Sequence, residues 1–314
     1  VSSRARTVIR HDRPLLDVSV TARGNPGDRL RVSLRPYNPE GIQFVEKIEA
    51  LSDGLGFKVD DTPVHFSRKP DRVALSNYAQ GDVLSLPETD EEETVECPIG
   101  MATAAADFHC APDGTASVDL TVALSSDLEK HFKNTEVKPV FWPDALRDTP
   151  QLRLADEHLG YLFDAAKRTL IQLSAHDIYP GPFTYRRFWF RDAALMGNAL
   201  LGLNKTDRLG RHLSGFPGRQ NRDGFFESQE GEWDANGQVL WLINRWSRCA
   251  DVVPDKALIR SVIIGADWIT TKRMKNKDDP LLNGLLPAGF SAEHLGPNDY
   301  YYWDDFWGVA GLRA

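Results

Sequence analysis

The spacing of apolar residues changes once along this chain, and that change limits what it can fold into. Over roughly the first 125 residues the pattern has period two. It runs through Leu16, Val18 and Val20, then Leu30, Val32 and Leu34, then Val118, Leu120 and Val122, each alternating with polar neighbours. Turn-forming Gly, Pro, Asn and Asp cluster at 24–27, 36–41, 52–54 and 112–114. Many short strands, each with one wet face, predict an antiparallel β-sandwich over 1–137. Pro139, Pro143 and Pro150 mark 138–150 as a stiff, extended linker. Beyond it the apolar residues recur three and four apart. They are Leu159, Leu162, Phe163, Ala166, Leu170 and Leu173, then Met196, Ala199, Leu200 and Leu203. Val239, Leu242, Ile243 and Trp246 follow, then Ile259, Val262, Ile263 and Ala266. The chain is expected to hold two domains, β then α, with helices over 151–314.

At 314 residues and 41% hydrophobic content, the chain has enough apolar surface for two cores. No apolar run approaches the ~18–20 residues that a bilayer span requires, so no membrane partner is expected. The net charge of −8 argues against a nucleic-acid surface. All of the excess lies in 1–150, with 17 basic and 25 acidic residues, whereas 151–314 carry 20 of each. Part of it is the run from Glu88 to Glu93, broken by Thr89, which reads as a solvated loop. Three cysteines, Cys97, Cys110 and Cys249, make no disulfide framework, which favours a reducing, cytoplasmic location. His109 and Cys110, with Cys97 upstream, lack the paired spacing of a zinc site. The sequence opens on Val1 without a leader pattern, and Gly311 to Ala314 read as mid-helix, so a fragment of a longer protein is expected.

No phosphate-cradling glycine motif, serine nucleophile elbow or helical zinc motif occurs. The distinctive feature is aromatic rings interleaved with carboxylates. Seven of the eight tryptophans lie at or after Trp189, joined by Tyr179, Tyr185, Phe188 and the run Tyr300, Tyr301, Tyr302. Trp241, Trp246 and Trp268 fall within helical segments and read as packing. An indole beside a carboxylate on a loop suits a sugar ring, which has an apolar face to stack and polar edges to hydrogen-bond.

Three segments have this composition. In 187–192, Trp189, Arg191 and Asp192 precede a helix expected over 193–203, with Asp192 where an N-cap would stand. In 229–238, Asp234 or Asn236 suits a helix cap, leaving Glu232 and Trp233 without an obvious structural duty. In 298–308, Asp304 and Asp305 begin another helix among Tyr302, Trp303 and Trp307. Adjacent carboxylates favour the positive end of a helix. A carboxyl walled by rings also has its pKa raised by desolvation, as a general acid requires. Singly, each segment reads as helix capping; occurring together at three helix starts, they point to one pocket.

These motifs resemble those of a known group of glycosidases. Trp189, Phe190, Arg191 and Asp192 resemble the Trp-x-Arg-Asp element of glucoamylases and glycogen-debranching α-1,6-glucosidases, where Arg and Asp hold the sugar in the −1 subsite. Tyr302, Trp303, Asp304 and Asp305 resemble the Trp-Glu-Glu element that carries the glucoamylase general acid. Trehalases and processing α-glucosidases place an Asp at the equivalent helix start. The resemblance puts Asp304 in the general-acid position, with Asp305 as its acidic neighbour or the alternative acid. The segment from Glu232 to Gly237 resembles the tryptophan-containing substrate loop before the third inner helix, which makes Trp233 a subsite platform.

The resemblance implies the first part of an (α/α)6 toroid behind an antiparallel β-sandwich, as in bacterial glucoamylases. It implies an inverting glycoside hydrolase acting on α-linked glucosides, of glucoamylase or α-1,6-glucosidase type. Its partner would be an oligosaccharide or polysaccharide; no metal or organic cofactor is required. Trp189, Arg191, Asp192, Glu232, Trp233, Tyr302 and Trp303 become the expected substrate contacts. The family's base lies far downstream, so the 314 residues are expected to lack it and to be inactive alone. Two alternatives share this architecture: a non-catalytic carbohydrate-binding barrel, and a disaccharide phosphorylase that replaces the base with a phosphate pocket. A polysaccharide lyase would favour a Tyr, His and Arg site over Asp304.

Overall fold

The structure is a computed structural model that describes residues 1–10, 13–38, 41–84, 93–124, 141–275, 279–290 and 297–314. The acidic run from Glu88 to Glu92 and the first linker residues, 138–140, lie outside the described residues. The chain divides into two compact units, Val1–Pro139 and Val140–Ala314.

The first unit contains two antiparallel sheets. The larger has the order β1-β2-β12-β8-β7-β6-β10. Its strands are β1 (Ser2–Arg10), β2 (Arg13–Arg23), β6 (Lys47–Ala50), β7 (Gly56–Val59), β8 (Thr62–Phe66), β10 (Thr94–Glu96) and β12 (Thr115–Ala123). The smaller is β3-β11-β9, from β3 (Arg29–Leu34), β9 (Arg72–Ser76) and β11 (Thr103–His109). A two-stranded ribbon joins β4 (Tyr37–Asn38) to β5 (Gly41–Ile42). Alternation decides which face is covered: Ala116, Val118 and Leu120 of β12 are buried, while Ser117 and Asp119 between them are exposed. The sheets share one core. Phe57 and Phe66 of the larger sheet and Phe108 of the smaller meet edge to face, with centroids 5.6 and 5.5 Å apart.

The run of Ala104, Ala105 and Ala106 in β11 carries no period-two signal, and sequence reading did not mark it as a strand. It is the centre of the smaller sheet, buried on both faces, where alanine's small side chain fits and its weak strand preference is overridden by packing. Within the same strand Asp107 is buried and binds the Arg31 guanidinium through two bonds of 2.6 and 2.7 Å.

The second unit is helical: α1 (Trp142–Ala145), α2 (Glu157–Leu173), α3 (Phe190–Gly202), α4 (Thr206–Leu213), α5 (Ala235–Ala250), α6 (Lys256–Lys272) and α7 (Tyr302–Arg313). Asp156 caps α2 and Asp255 caps α6 through side-chain bonds to first-turn amides. Helix α5 is the hub. Residues Ala235 to Leu240 are all buried, and the helix packs against α3, α4, α6 and α7. The rings of Phe190, Phe216 and Phe226 fill the centre of this core.

Helix α2 departs from its sequence pattern. Leu159 and Leu162 of the apolar stripe are 50% and 47% exposed, and the buried positions are Ile171 and Lys167. The Lys167 ammonium is tied to the carbonyl of Pro150 at 3.2 Å and to Asp164 at 2.7 Å. Helical spacing sets the helix; it does not supply the surface that covers it.

Candidate active site

The N-terminal ends of α3, α5 and α7 come together, and the candidate groups sit at or just before these helix starts. The helix expected at 193–203 starts at Phe190, so Trp189 holds the N-cap position and Asp192 lies in the first turn. The Asp192 cap expected from sequence is therefore replaced by an acidic first-turn residue, which still favours the positive helix end. The amide of Phe190 is instead satisfied by the Ser228 hydroxyl at 2.7 Å. Asp234 takes the N-cap position of α5, yet its side chain makes no cap bond. Asn236 is within the helix, and its amide links Phe226, Gly224 and Gly265.

What Asp234 does instead was missed in the sequence. Its Oδ2 accepts hydrogen bonds from Arg191 Nε at 2.7 Å, Trp303 Nε1 at 2.7 Å and Gln238 Nε2 at 2.9 Å. Glu232, also buried, accepts from Trp189 Nε1 at 2.8 Å and lies 3.5 Å from an Arg191 guanidinium nitrogen. Trp189, Arg191, Glu232 and Trp303 are thus joined in one polar cluster around two buried carboxylates.

Asp304 follows Trp303 in the first turn of α7 and is 5% exposed. Its pKa is raised to about 7: burial contributes most, the negative charge of Asp234 adds to it, and Arg191 pulls against both. The Asp305 charge adds to the rise, and the Trp233 backbone N–H opposes it. Asp305 faces elsewhere: it accepts the Leu286 N–H at 2.9 Å. Burial raises the Asp305 pKa too, against the lowering effect of that N–H.

The remaining expected residues divide. Trp233 lies against Phe225 and Trp268, with centroids at 5.5 and 6.0 Å, and the Lys272 ammonium sits 4.1 Å above its ring. The Arg187 guanidinium covers one face of Trp189 at 3.7 Å. Trp303 is 48% exposed and keeps an accessible ring beside Asp304. Tyr302 stands apart, 66% exposed, with its ring over Phe306. The groups bearing on Asp304 are Asp234, Arg191, Asp305 and the Trp233 N–H, whereas Tyr302 is turned outward. Two buried polar atoms here, Trp233 Nε1 and Gln238 Oε1, have no hydrogen-bond partner among the described residues. Among the described residues no group of three His, Cys, Asp or Glu is placed to hold a metal ion, and no helix is long and apolar enough to cross a membrane.

The raised pKa has a consequence for stability. The folded chain keeps the Asp304 proton up to about pH 7, whereas the unfolded chain releases it near 3.8. The stability this proton contributes is full below the lower value and lost as pH rises through the higher one. Across that window the fall is about 4 kcal/mol, at about 1.36 kcal/mol per pH unit. Asp304→Asn should abolish most of this slope and melt above the unchanged protein at pH 8, measured by thermal denaturation from pH 4 to 8. Parallel slopes in the two proteins would mean that Asp304 ionises as an ordinary carboxylate.

No family model matches the sequence, and no curated protein does. Solved structures do. A bacterial glucoamylase determined in complex with acarbose superimposes with a TM-score of 0.52 at 12% identity, over 86% of this chain and 46% of that one. A protein described as a putative kojibiose phosphorylase from the human microbiome gives 0.43 at 7% identity, over 88% and 45%. A family GH92 inverting mannosidase from Bacteroides thetaiotaomicron gives 0.37 at 10%, over 82% and 47%. The chain spans about half the length of each of these proteins. It is glucoamylase-like in fold, with antiparallel sheets followed along the chain by helices, over about half of that enzyme's length.

Proposed function

We propose that this chain is part of an inverting glycoside hydrolase that acts on α-linked glucosides, with Asp304 as the proton donor. The observation that carries the reading is a buried carboxyl whose pKa is raised to about 7, beside a guanidinium and an accessible indole. At neutral pH a substantial fraction of Asp304 holds its proton and can give it to the glycosidic oxygen as the C1–O bond breaks. A second carboxylate, elsewhere in the full-length protein, takes a proton from the water that attacks the opposite face, ~6.5–9.5 Å away in such sites. Arg191 and Asp192 hold hydroxyls of the −1 sugar, and Trp303, with Trp189 and Trp233, bounds the ring.

The α-glucoside follows from the motif resemblance and from the glucoamylase whose fold the chain shares. In this reading the helical unit is the first part of an (α/α)6 toroid. The test is the stereochemistry of the first product. The full-length protein, given α-1,4- and α-1,6-linked glucosides and followed by proton NMR, should release β-glucose before mutarotation. Initial α-glucose would overturn inversion. Sugar 1-phosphate formed only with added phosphate would identify a phosphorylase, and binding without turnover a non-catalytic barrel.

A further inference from the structure

We propose that Asp234 is a positioning residue for the proton donor, tying the first turns of three helices together through one carboxylate oxygen. The inference rests on the assignment of Asp304 above. Asp234 is 1% exposed and occupies an N-cap position without capping. An Asp there ordinarily satisfies a first-turn amide. Here the carboxylate turns away from its own helix amides and collects three side-chain donors on Oδ2. They come from α3 (Arg191), α5 (Gln238) and α7 (Trp303).

Two consequences follow from that geometry. Trp303 precedes Asp304, so anchoring its indole fixes the turn of α7 that carries the proton donor. Arg191 is held against Asp234 and Glu232, so part of the pull its charge exerts on Asp304 is offset by these carboxylates. A free guanidinium in that place would ionise Asp304 and remove its proton. The charged groups bearing on Asp304 are Asp234 at the start of α5, Arg191 on α3 and Asp305 on α7, with the Trp233 N–H beside them. Asp234 acts on two of these at once: it repels the Asp304 carboxylate and it neutralises Arg191.

Asp234→Asn keeps the shape and removes the charge. In the full-length protein it should move the stability window of Asp304 down by about one pH unit, because both effects of the lost charge favour ionisation. The window is read as melting temperature against pH, and the same substitution in an Asp304→Asn background should leave no such displacement. The alkaline limb of kcat/KM should move down by the same amount. An unmoved window in a folded variant overturns the proposal. A moved window in a protein without glycosidase activity keeps the coupling and rejects the hydrolase reading, so the two failures are distinct. Trp303→Phe provides the second arm if Asp234→Asn does not fold. It keeps the charge and removes one tether, and should lower kcat more than tenfold while the window stays within a few tenths of a pH unit. Undiminished kcat in that variant overturns the positioning role.

Discussion

Asp304→Asn in the full-length protein should lower kcat on α-linked glucosides by ~10²–10⁴-fold, the range that general acid catalysis supplies. Asn matches Asp in shape and carries no transferable proton, so KM should change by no more than a few-fold. An equal loss in kcat and kcat/KM marks an interaction made in the transition state. Substrates with good leaving groups, such as aryl glucosides with low-pKa phenols, should lose far less, because their oxygen leaves without protonation. The same variant is expected to be more stable than the unchanged protein at pH 8. Losing activity while gaining stability is the signature of a group held in an unfavourable state for function. Near-normal turnover would remove Asp304 from the role. Asp305 then becomes the candidate, although its bond to the Leu286 N–H ties it to the loop before α7.

Much of this site was legible in the sequence because three chemical patterns recur at three helix starts. Trp189, Arg191, Glu232, Trp303 and Asp304 were all named from those patterns, and the structure brings them within one cluster. Asp234 was not, because an Asp before an amphipathic run looks like a cap, and only coordinates show that its carboxylate turns elsewhere. Tyr302 was placed with the cluster as one of the rings in the Tyr302-Trp303-Asp304-Asp305 motif. In a helix, residues two apart point to different sides, and Tyr302 faces outward while Asp304 faces in. The strands with one wet face were readable, as in β12, whereas the buried alanine strand β11 has no alternation to read. In α2 the period was correct and the burial was not, because period reports an apolar face without reporting what lies against it.

Gly237→Ala should destabilise the helical unit by about 3 kcal/mol or more, beyond the usual cost of an added methyl in a packed interior. Helices α5 and α7 cross with backbone against backbone. A Cβ on Gly237 would stand 2.1 Å from the Trp307 carbonyl oxygen and 2.6 Å from the Gly308 nitrogen. On the other side of the crossing, a Cβ on Gly311 would stand 2.4 Å from the Gly237 carbonyl oxygen. Neither contact involves a flexible side chain that could move aside, so relief requires the helices to separate. Separation draws the start of α7 away from α5, stretching the Trp303–Asp234 bond one residue before Asp304. Displacement of about 1 Å at a catalytic group costs ~10²-fold in rate, so the variant should lose activity along with stability. Gly160→Ala in α2 is the control: no atom of the described residues lies within 4 Å of its added Cβ. Replacing glycine by alanine inside a helix should there stabilise by up to about 1 kcal/mol. Chemical denaturation of both variants, read by circular dichroism, separates the outcomes. Equal, small effects at the two glycines would show that α5 and α7 do not cross in contact, and would leave the first turn of α7 without the support on which the placement of Asp304 depends.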